Sequence, residues 1–365
     1  MSVFDILAVL GGLILLVGGG EALVRGASAL ASRLGISPLV VGLTVVSVAT
    51  SAPEFAVTLG AVLRGEPELA VGNVVGSNIA NVLLVLGVTA VVGSVVVKKP
   101  MLRFDLPFLA VLSVLVLVFS LDGAVGPIEG VVLLGLFVGH MVWSVIRGRA
   151  ATLPDASTKP EKKPSALASV AFVVAGVGLL VLGANLLVDG ATMIATAFGV
   201  SQLVIGLTVV AVGTSLPELA ASVIAARRGE RDMAFGNVVG SNIANIGLVL
   251  GGPALFAGGI PVPDSAVAFD IPIMLAVSLL LIPIAFTGSL IHRSEGLLFV
   301  GFYAAYSIYV LLLATDHDAL RGFTITMVAY VLPMFGILVA GHVLFETWDR
   351  HAARREAEPH ASPDD

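Results

Sequence analysis

The chain has 365 residues, 57% of them hydrophobic and 12% charged, with a mean hydropathy of +1.04 and a formal net charge of −6. A soluble domain carries roughly 25% charged residues. This is therefore an integral membrane protein, and its apolar segments leave no room for a soluble catalytic domain. There is no cysteine, which excludes disulfides, thiolate metal sites and cysteine nucleophiles.

The first residues, MSVFDILAVL, lack the positive start of a signal peptide, and their apolar run is too long for one, so a retained span is expected. Hydropathy and helix breakers place spans near 3–31, 38–63, 69–96, 104–121, 126–146, 166–196, 202–226, 233–257, 269–287, 294–314 and 323–346. The polar connection 147–165, with Lys159, Lys162, Lys163 and three prolines, reads as a solvated linker between halves of five spans each. An eleventh span at 316–346 and a charged tail at 347–365 follow.

The halves are copies. Gly42 to Gly87 aligns without a gap on Gly206 to Gly251 at an offset of 164, with 30 of 46 positions identical. The repeat extends to Gly26–Ser37 against Gly190–Ser201. At an offset one larger, Phe104-Asp105-Leu106-Pro107 matches Phe269-Asp270-Ile271-Pro272. An odd number of spans per half turns the second copy upside down, the plan of transporters whose sites lie near the midplane. The expected fold is an all-α polytopic membrane protein: an inverted 5+5 repeat (1–146 and 166–315) plus an additional C-terminal transmembrane helix.

Charge placement supports the inversion. Loops after odd-numbered spans, with the tail, hold 16 of the 19 Lys and Arg residues, the opposite loops hold Arg64 and Arg321, and Arg25 lies within a span. Positive loops collect on the cytoplasmic side, so the N-terminus is expected outside, with the linker and tail cytoplasmic.

Each copy sets one glutamate, Glu54 or Glu218, inside a span, where an ionised side chain is costly and functional by default. Pro53 and Pro217 have no N–H and clash with the preceding turn, so each helix is expected to break there. The freed carbonyls from Ser47 to Thr50 and from Ala211 to Thr214 are hard oxygen ligands. The second motif puts Asn73, Ser77 and Asn81 within about 80° of one helix face, with Asn237, Ser241 and Asn245 as twins, and Gly72 and Gly76 permit close packing. An all-oxygen set with two carboxylates suits Ca²⁺ better than Mg²⁺ or Zn²⁺, and hydroxyls with carbonyls alone would suit Na⁺.

The paired TSxPE and GNxxGSNxxN segments resemble the α-repeats of the calcium/cation antiporter superfamily, most closely the prokaryotic Na⁺/Ca²⁺ exchangers. The resemblance implies Ca²⁺ contacts from Glu54, Glu218, Thr50 and Thr214. It implies Na⁺ contacts from Ser51, Ser77, Ser215 and Ser241, and from Ser47 and Ala211 through their carbonyls, with Asn81 and Asn245 flanking. Many members carry an aspartate at one position of that asparagine pair, which this chain lacks. The eleventh span is additional to the ten-span prokaryotic pattern.

The expected function is secondary active exchange of Ca²⁺ for Na⁺ by alternating access, with the first and sixth spans sliding as a gate. The alternatives are Ca²⁺/H⁺ or K⁺-dependent exchange and, from a different class, a Ca²⁺-permeable channel. No GxSG-type serine, His cluster or paired aspartate motif supports an enzyme. No cofactor is expected, and the sequence points to membrane lipid as surroundings and to no nucleic-acid or protein partner. Asp105 and Asp270, at helix starts, are expected to cap. Glu21 with Arg25, or Arg25 with Asp189, is expected to pair, Asn78 and Asn242 to bond between helices, His140 and His342 to pack, and Trp143 and Trp348 to anchor at the interface.

Overall fold

The computed structural model describes residues 3–151, 165–286, 290–334, 336–337 and 340–341. Most of the linker with its three lysines, the tail, His342 and Trp348 lie outside the described residues. In hydrocarbon every backbone polar group must be satisfied within the segment, and the apolar runs accordingly fold as helices. These are α1 (Val3–Leu34), α2 (Pro38–Thr50), α3 (Ala52–Arg64), α4 (Pro67–Val92), α5 (Met101–Asp122) and α6 (Pro127–Ala151) in the first half. The second half holds α7 (Ala166–Ala197), α8 (202–213), α9 (Leu216–Arg227), α10 (Arg231–Phe256), α11 (Ala266–Ala285) and α12 (Arg293–Ala314), and α13 (Ala319–Met334) follows.

Eight of these helices are long and apolar enough to cross a membrane, and α2 with α3, bent by 42°, makes up to nine. The sequence placed eleven spans. The remaining two are the broken helix α8–α9 and the short α13.

Twin helices pack against each other in opposite directions. A Cβ at Gly12 would meet Gly183 O at 2.7 Å, one at Gly19 would meet Gly176 O at 2.8 Å, and one at Gly26 would meet Ser169 O at 2.7 Å. Contacts that rise along α1 and fall along α7 mean an antiparallel pair. Two short antiparallel ribbons repeat the pattern. β1 (Val95–Val96) pairs with β4 (Leu290–Ile291), and β2 (Ala124–Val125) pairs with β3 (Ile260–Pro261). The start of α5 is thereby tied to the end of α11 and the end of α5 to the start of α11, so these twins are antiparallel as well.

Burial separates the roles of the helices. The apolar windows of α4 and α10 are 78% and 89% buried, against 22% for α1 and 6% for α12. The two helices carrying the GNxxGSN motif are therefore the centre, and α1 and α7 form a flank. Where α1 meets α7 the backbones touch through glycine, so a side chain there has nowhere to go. Gly19→Val is expected to cost about 1–3 kcal/mol, read as a lower melting temperature in detergent. Gly11→Val, at a position with nothing within 4 Å, serves as the neutral control.

Hydropathy and breakers do not reveal the π-helical turns, a wider winding that leaves part of the i→i−4 ladder unclosed and is frequent at functional sites. They occupy Gly42–Val46 and Gly206–Val210, Asn81–Leu86 and Asn245–Leu250, and Met101–Asp105 and Ala266–Asp270. These six form three twin pairs, so the duplication extends to backbone winding, and a seventh wide turn, Met327–Val331, lies in α13.

Three side-chain expectations are corrected. Asp105 makes no cap bond. It is fully buried, with its carboxylate 3.0 Å from His140 Nε2 and 3.0 Å from Arg147 Nη2. Asp270 accepts from the Tyr306 hydroxyl at 3.0 Å. In both cases the wide turn at 101–105 or 266–270 carries the carboxylate into the helix interface instead of onto the helix end. Glu21 pairs with Arg228, not Arg25, whose guanidinium lies 5.2 Å above the Phe172 ring. Asn78 Nδ2 bonds Val74 O within its own helix. His140 packs as expected, stacked on Phe108, and Trp143 is partly exposed under the Arg147 guanidinium.

Asp105→Asn would strip the charge facing Arg147. The expected loss is about 3 kcal/mol, the low end for a broken buried pair, because a fifth of the Arg147 side chain is solvent-exposed. Were Asp105 only a cap, asparagine would cap equally well and stability would be almost unchanged. Thermal unfolding of the variant distinguishes the two.

Candidate cation site

Each signature glutamate sits where its helix breaks. Ser51 and Ser215 leave the helix with φ/ψ of −80°/3° and −89°/5°, and Pro53 and Pro217 occupy the first turn of the next segment. The N–H of Ser51 still reaches Ser47 O at 2.9 Å and that of Phe55 reaches Ser51 O at 3.1 Å, but Pro53 has nothing to offer Ala49. Glu54 and Glu218 follow directly, in the first turns of α3 and α9, where the helix dipole favours a carboxylate.

Two expected carbonyl ligands already have donors. The Ser47 carbonyl, expected to be free, accepts from the Ser51 N–H and lies 3.3 Å from Thr50 Oγ1. Of the carbonyls from Ser47 to Thr50, Pro53 frees that of Ala49, and that of Ser47 keeps its helical donor. The Ala211 carbonyl accepts from Thr214 Oγ1 at 3.3 Å.

The two halves meet at Thr50. Its Oγ1 lies 3.4 Å from Asn237 Oδ1 and 3.4 Å from Ser241 Oγ, both from α10. Asn237 Nδ2 in turn reaches Ser222 Oγ at 2.9 Å and Glu218 O at 3.5 Å. In the first half, Asn73 Nδ2 bonds Glu54 O at 3.1 Å and Thr58 Oγ1 at 2.9 Å. Asn73 and Asn237 thus spend their amide N–H groups clamping α4 to α3 and α10 to α9. This fixes the backbone of each glutamate. Ser222 and Thr58, the partners of the clamp, were not among the sequence's candidates.

Polar atoms without partners collect at the same place. Both carboxylate oxygens of Glu54 and Glu218, the hydroxyls of Ser51 and Ser215, and the amide atoms of Asn81 and Asn245 are buried with no hydrogen-bond partner. Both glutamates are 0% exposed. Unpaired charge in such surroundings costs several kcal/mol, and a bound cation would remove that cost. Among the described residues no three His, Cys, Asp or Glu side chains group together, so a cation here would draw its remaining ligands from hydroxyls, amide oxygens and carbonyls. That is oxygen chemistry suited to hard cations. Ser77 and Ser241 are also buried, on the site faces of α4 and α10.

The twins are not in equivalent surroundings. On one side α2 lies tightly on α10: a Cβ at Gly236 would meet Leu39 O at 2.6 Å, and one at Gly240 would meet Leu43 O at 2.6 Å. On the other side Gly206, Gly72 and Gly76 meet nothing within 4 Å among the described residues. Val46 is 1% exposed and its twin Val210 is 42% exposed. Thr214 makes no contact with Asn73 or Ser77 corresponding to those of Thr50 with Asn237 and Ser241, among the described residues. The α2–α10 seam is closed, and the α8–α4 seam is open.

Further contacts hold the closed side. Lys98 pairs with Asp232 at the start of α10, Glu21 pairs with Arg228, and Ser28 donates to Glu230 at 3.3 Å. Partial burial and the charge of Asp232 raise the Glu230 pKa above the ordinary carboxylate value.

Residues 4–146 and 168–312 match the family model described as sodium/calcium exchanger protein. The inner membrane protein YrbG of Escherichia coli K12 is 38% identical over 276 residues, covering 74% of this chain and 85% of its own. The sodium/calcium exchanger MaX1 of Methanosarcina acetivorans is 32% identical over 346 residues, 84% of this chain and 99% of that protein. A solved structure of the sodium-calcium exchanger NCX_Mj, soaked with 10 mM Na⁺ and zero Ca²⁺, superposes with a TM-score of 0.73 at 35% identity, covering 86% of this chain and 99% of that one.

Proposed function

Because this chain belongs to the sodium/calcium exchanger protein family, we propose that it exchanges Ca²⁺ for Na⁺ across the membrane by alternating access, with Glu54 and Glu218 shared by the competing ions. The observation that carries this reading is the set of four buried carboxylate oxygens with no protein donor, in a chain with one closed and one open seam.

Ca²⁺ takes both carboxylates with oxygens of Thr50 and Thr214. Na⁺ ions take the carboxylates with Ser51, Ser77, Ser215 and Ser241 and the carbonyls of Ser47 and Ala211, and Asn81 and Asn245 flank the centre. An ion at Ser47 O requires the Thr50 hydroxyl to turn away, since that hydroxyl and the Ser51 N–H already lie against the carbonyl. Sharing couples the fluxes. Two bare carboxylates in a low-dielectric interior oppose passage of the empty site from one face to the other, and either Ca²⁺ or several Na⁺ removes that barrier.

Exchange of roles between twins supplies the second state: α8 closes onto α4 as α2 leaves α10. The flanking pair α1–α7 has unbroken helices and glycine-lined contact, the form needed for sliding. The division into halves 1–146 and 166–315 follows the repeat. With the N-terminus outside, as the Lys and Arg distribution indicates, the open seam faces outward.

The test is Ca²⁺ uptake into vesicles reconstituted with the full chain, with Na⁺, K⁺ and H⁺ gradients imposed separately. A Na⁺ gradient at clamped pH drives uptake. Uptake that follows only a pH gradient assigns the counter-ion to H⁺, and an absolute need for K⁺ assigns co-transport. Ca²⁺ current without any counter-ion gradient would make the protein a channel and end the proposal.

A further inference from the structure

The family match ends at residue 312, and the helix beyond it, α13, does not close onto the body. No residue in its segments Ala319–Thr326 and Met327–Val331 is buried. Between α13 and the body lies a cleft of about 540 Å³ lined by α11, α12 and α13, with Leu83 of α4 at its floor. Its walls are apolar side chains such as Ile273, Leu280, Phe302, Phe323 and Val328, with a few hydroxyls among them. One of those, Tyr306, already donates to Asp270.

Neither water nor vacuum suits this space. Ordered water needs two to four polar partners, and an empty gap of this size forfeits the dispersion contacts of every lining group. The cleft's length is set by the lining stretch of α13, Phe323 to Leu332. At 1.5 Å per residue this is roughly 14 Å, about half of a ~30 Å hydrocarbon core, the depth of one leaflet and therefore of one lipid tail.

Charge marks where the headgroup sits. Arg321 lies three and seven residues before Thr324 and Val328, both cleft-lining, so the three share one helix stripe and Arg321 continues it beyond the cleft. It is exposed and has no ion-pair partner among the described residues. A guanidinium fork matches a phosphate bidentately, and a long basic side chain at a helix end reaches the headgroup level. We propose that this cleft binds one phospholipid from the surrounding leaflet, its acyl chain filling the space between α11, α12 and α13 and its phosphate held by Arg321. The lipid is what attaches α13 to the body. Through Leu83 it also contacts the wide turn Asn81–Leu86, whose Asn81 belongs to the cation site.

The test uses the full chain in vesicles of phosphatidylethanolamine doped with a phosphatidylethanolamine carrying a photoactivated diazirine on its acyl chain, followed by peptide mapping and by native mass spectrometry of the detergent-extracted protein. Labelling is expected to concentrate on 269–280, 302–309 and 323–332, with one phospholipid retained per chain. Ala305→Trp, which fills the cleft, abolishes both signals. Arg321→Gln lowers retention about fivefold, the size expected for one basic residue near a membrane surface, and, being a surface change, reports even if the tryptophan variant fails to fold. Label spread evenly over all lipid-facing helices, retention unchanged in Arg321→Gln, or a second copy of the chain covering this face would each overturn the proposal.

Discussion

Glu54→Gln or Glu218→Gln abolishes Ca²⁺ uptake by reconstituted protein while leaving it folded. Glutamine keeps the shape and one carbonyl oxygen but removes the charge, and the remaining hydroxyls and carbonyls cannot neutralise a divalent ion in a low-dielectric interior. Breaking one partner of a buried charge pair costs about 3–5 kcal/mol, which weakens Ca²⁺ binding roughly a hundred- to several-thousand-fold. A second readout guards against trivial misfolding. In cation-free buffer both oxygens of each carboxylate are buried without a donor, so removing one charge relieves a penalty. The melting temperature of either variant without ions is expected to equal or exceed that of the parent, while the stabilisation that added Ca²⁺ gives the parent disappears. Normal uptake by either variant would refute shared carboxylates.

The second large effect comes from a residue with free space around it. Gly72→Leu is accommodated in the present conformation, where nothing among the described residues lies within 4 Å of the added carbon. Its twin Gly236, however, sits in the closed seam, where the added carbon would meet Leu39 O at 2.6 Å. If the second state is reached by exchange of roles, position 72 must then face the α8 backbone near residue 203 just as closely. A leucine there holds the α8–α4 seam open. Exchange is therefore expected to stop, although stability and Ca²⁺ binding in this conformation are unchanged. Backbone cannot yield as a flexible side chain can, so the block is nearly complete. Full exchange by Gly72→Leu would show that α8 never closes onto α4. The chain lacks cysteine, so Leu69→Cys with Gly206→Cys, the twins of the Met233–Gly42 contact, offers a matching cross-link that forms only in the second state.

Much of the site was legible because its signals are local or periodic. A carboxylate in an apolar run, a proline one residue before it and a gapless repeat at a fixed offset need no coordinates to be read, and both breaks fall where the prolines put them. The pairing of Asp105 was not legible. A carboxylate just ahead of a helical proline looks like a cap, and only the wide turn at Met101–Asp105 swings it toward His140 and Arg147 from another helix. The same holds for Glu21 and Arg228, 207 residues apart, where the nearer Arg25 was the obvious partner by spacing. Ser222 and Thr58 look like ordinary hydroxyls until the asparagine clamps are seen.

The amino-acid sequence alone determined that the chain lives in a membrane, that it is two copies of one unit in opposite orientation, and that each copy buries one glutamate just after a helix break. These follow from hydropathy, span parity and the cost of burying charge, all of which act along the chain. Only the tertiary structure decided which of two equivalent seams is closed and where the appended helix leaves space. Two near-identical halves carry the same local preferences, so nothing local can distinguish Gly72 from Gly236. The difference arises from how the halves pack on each other.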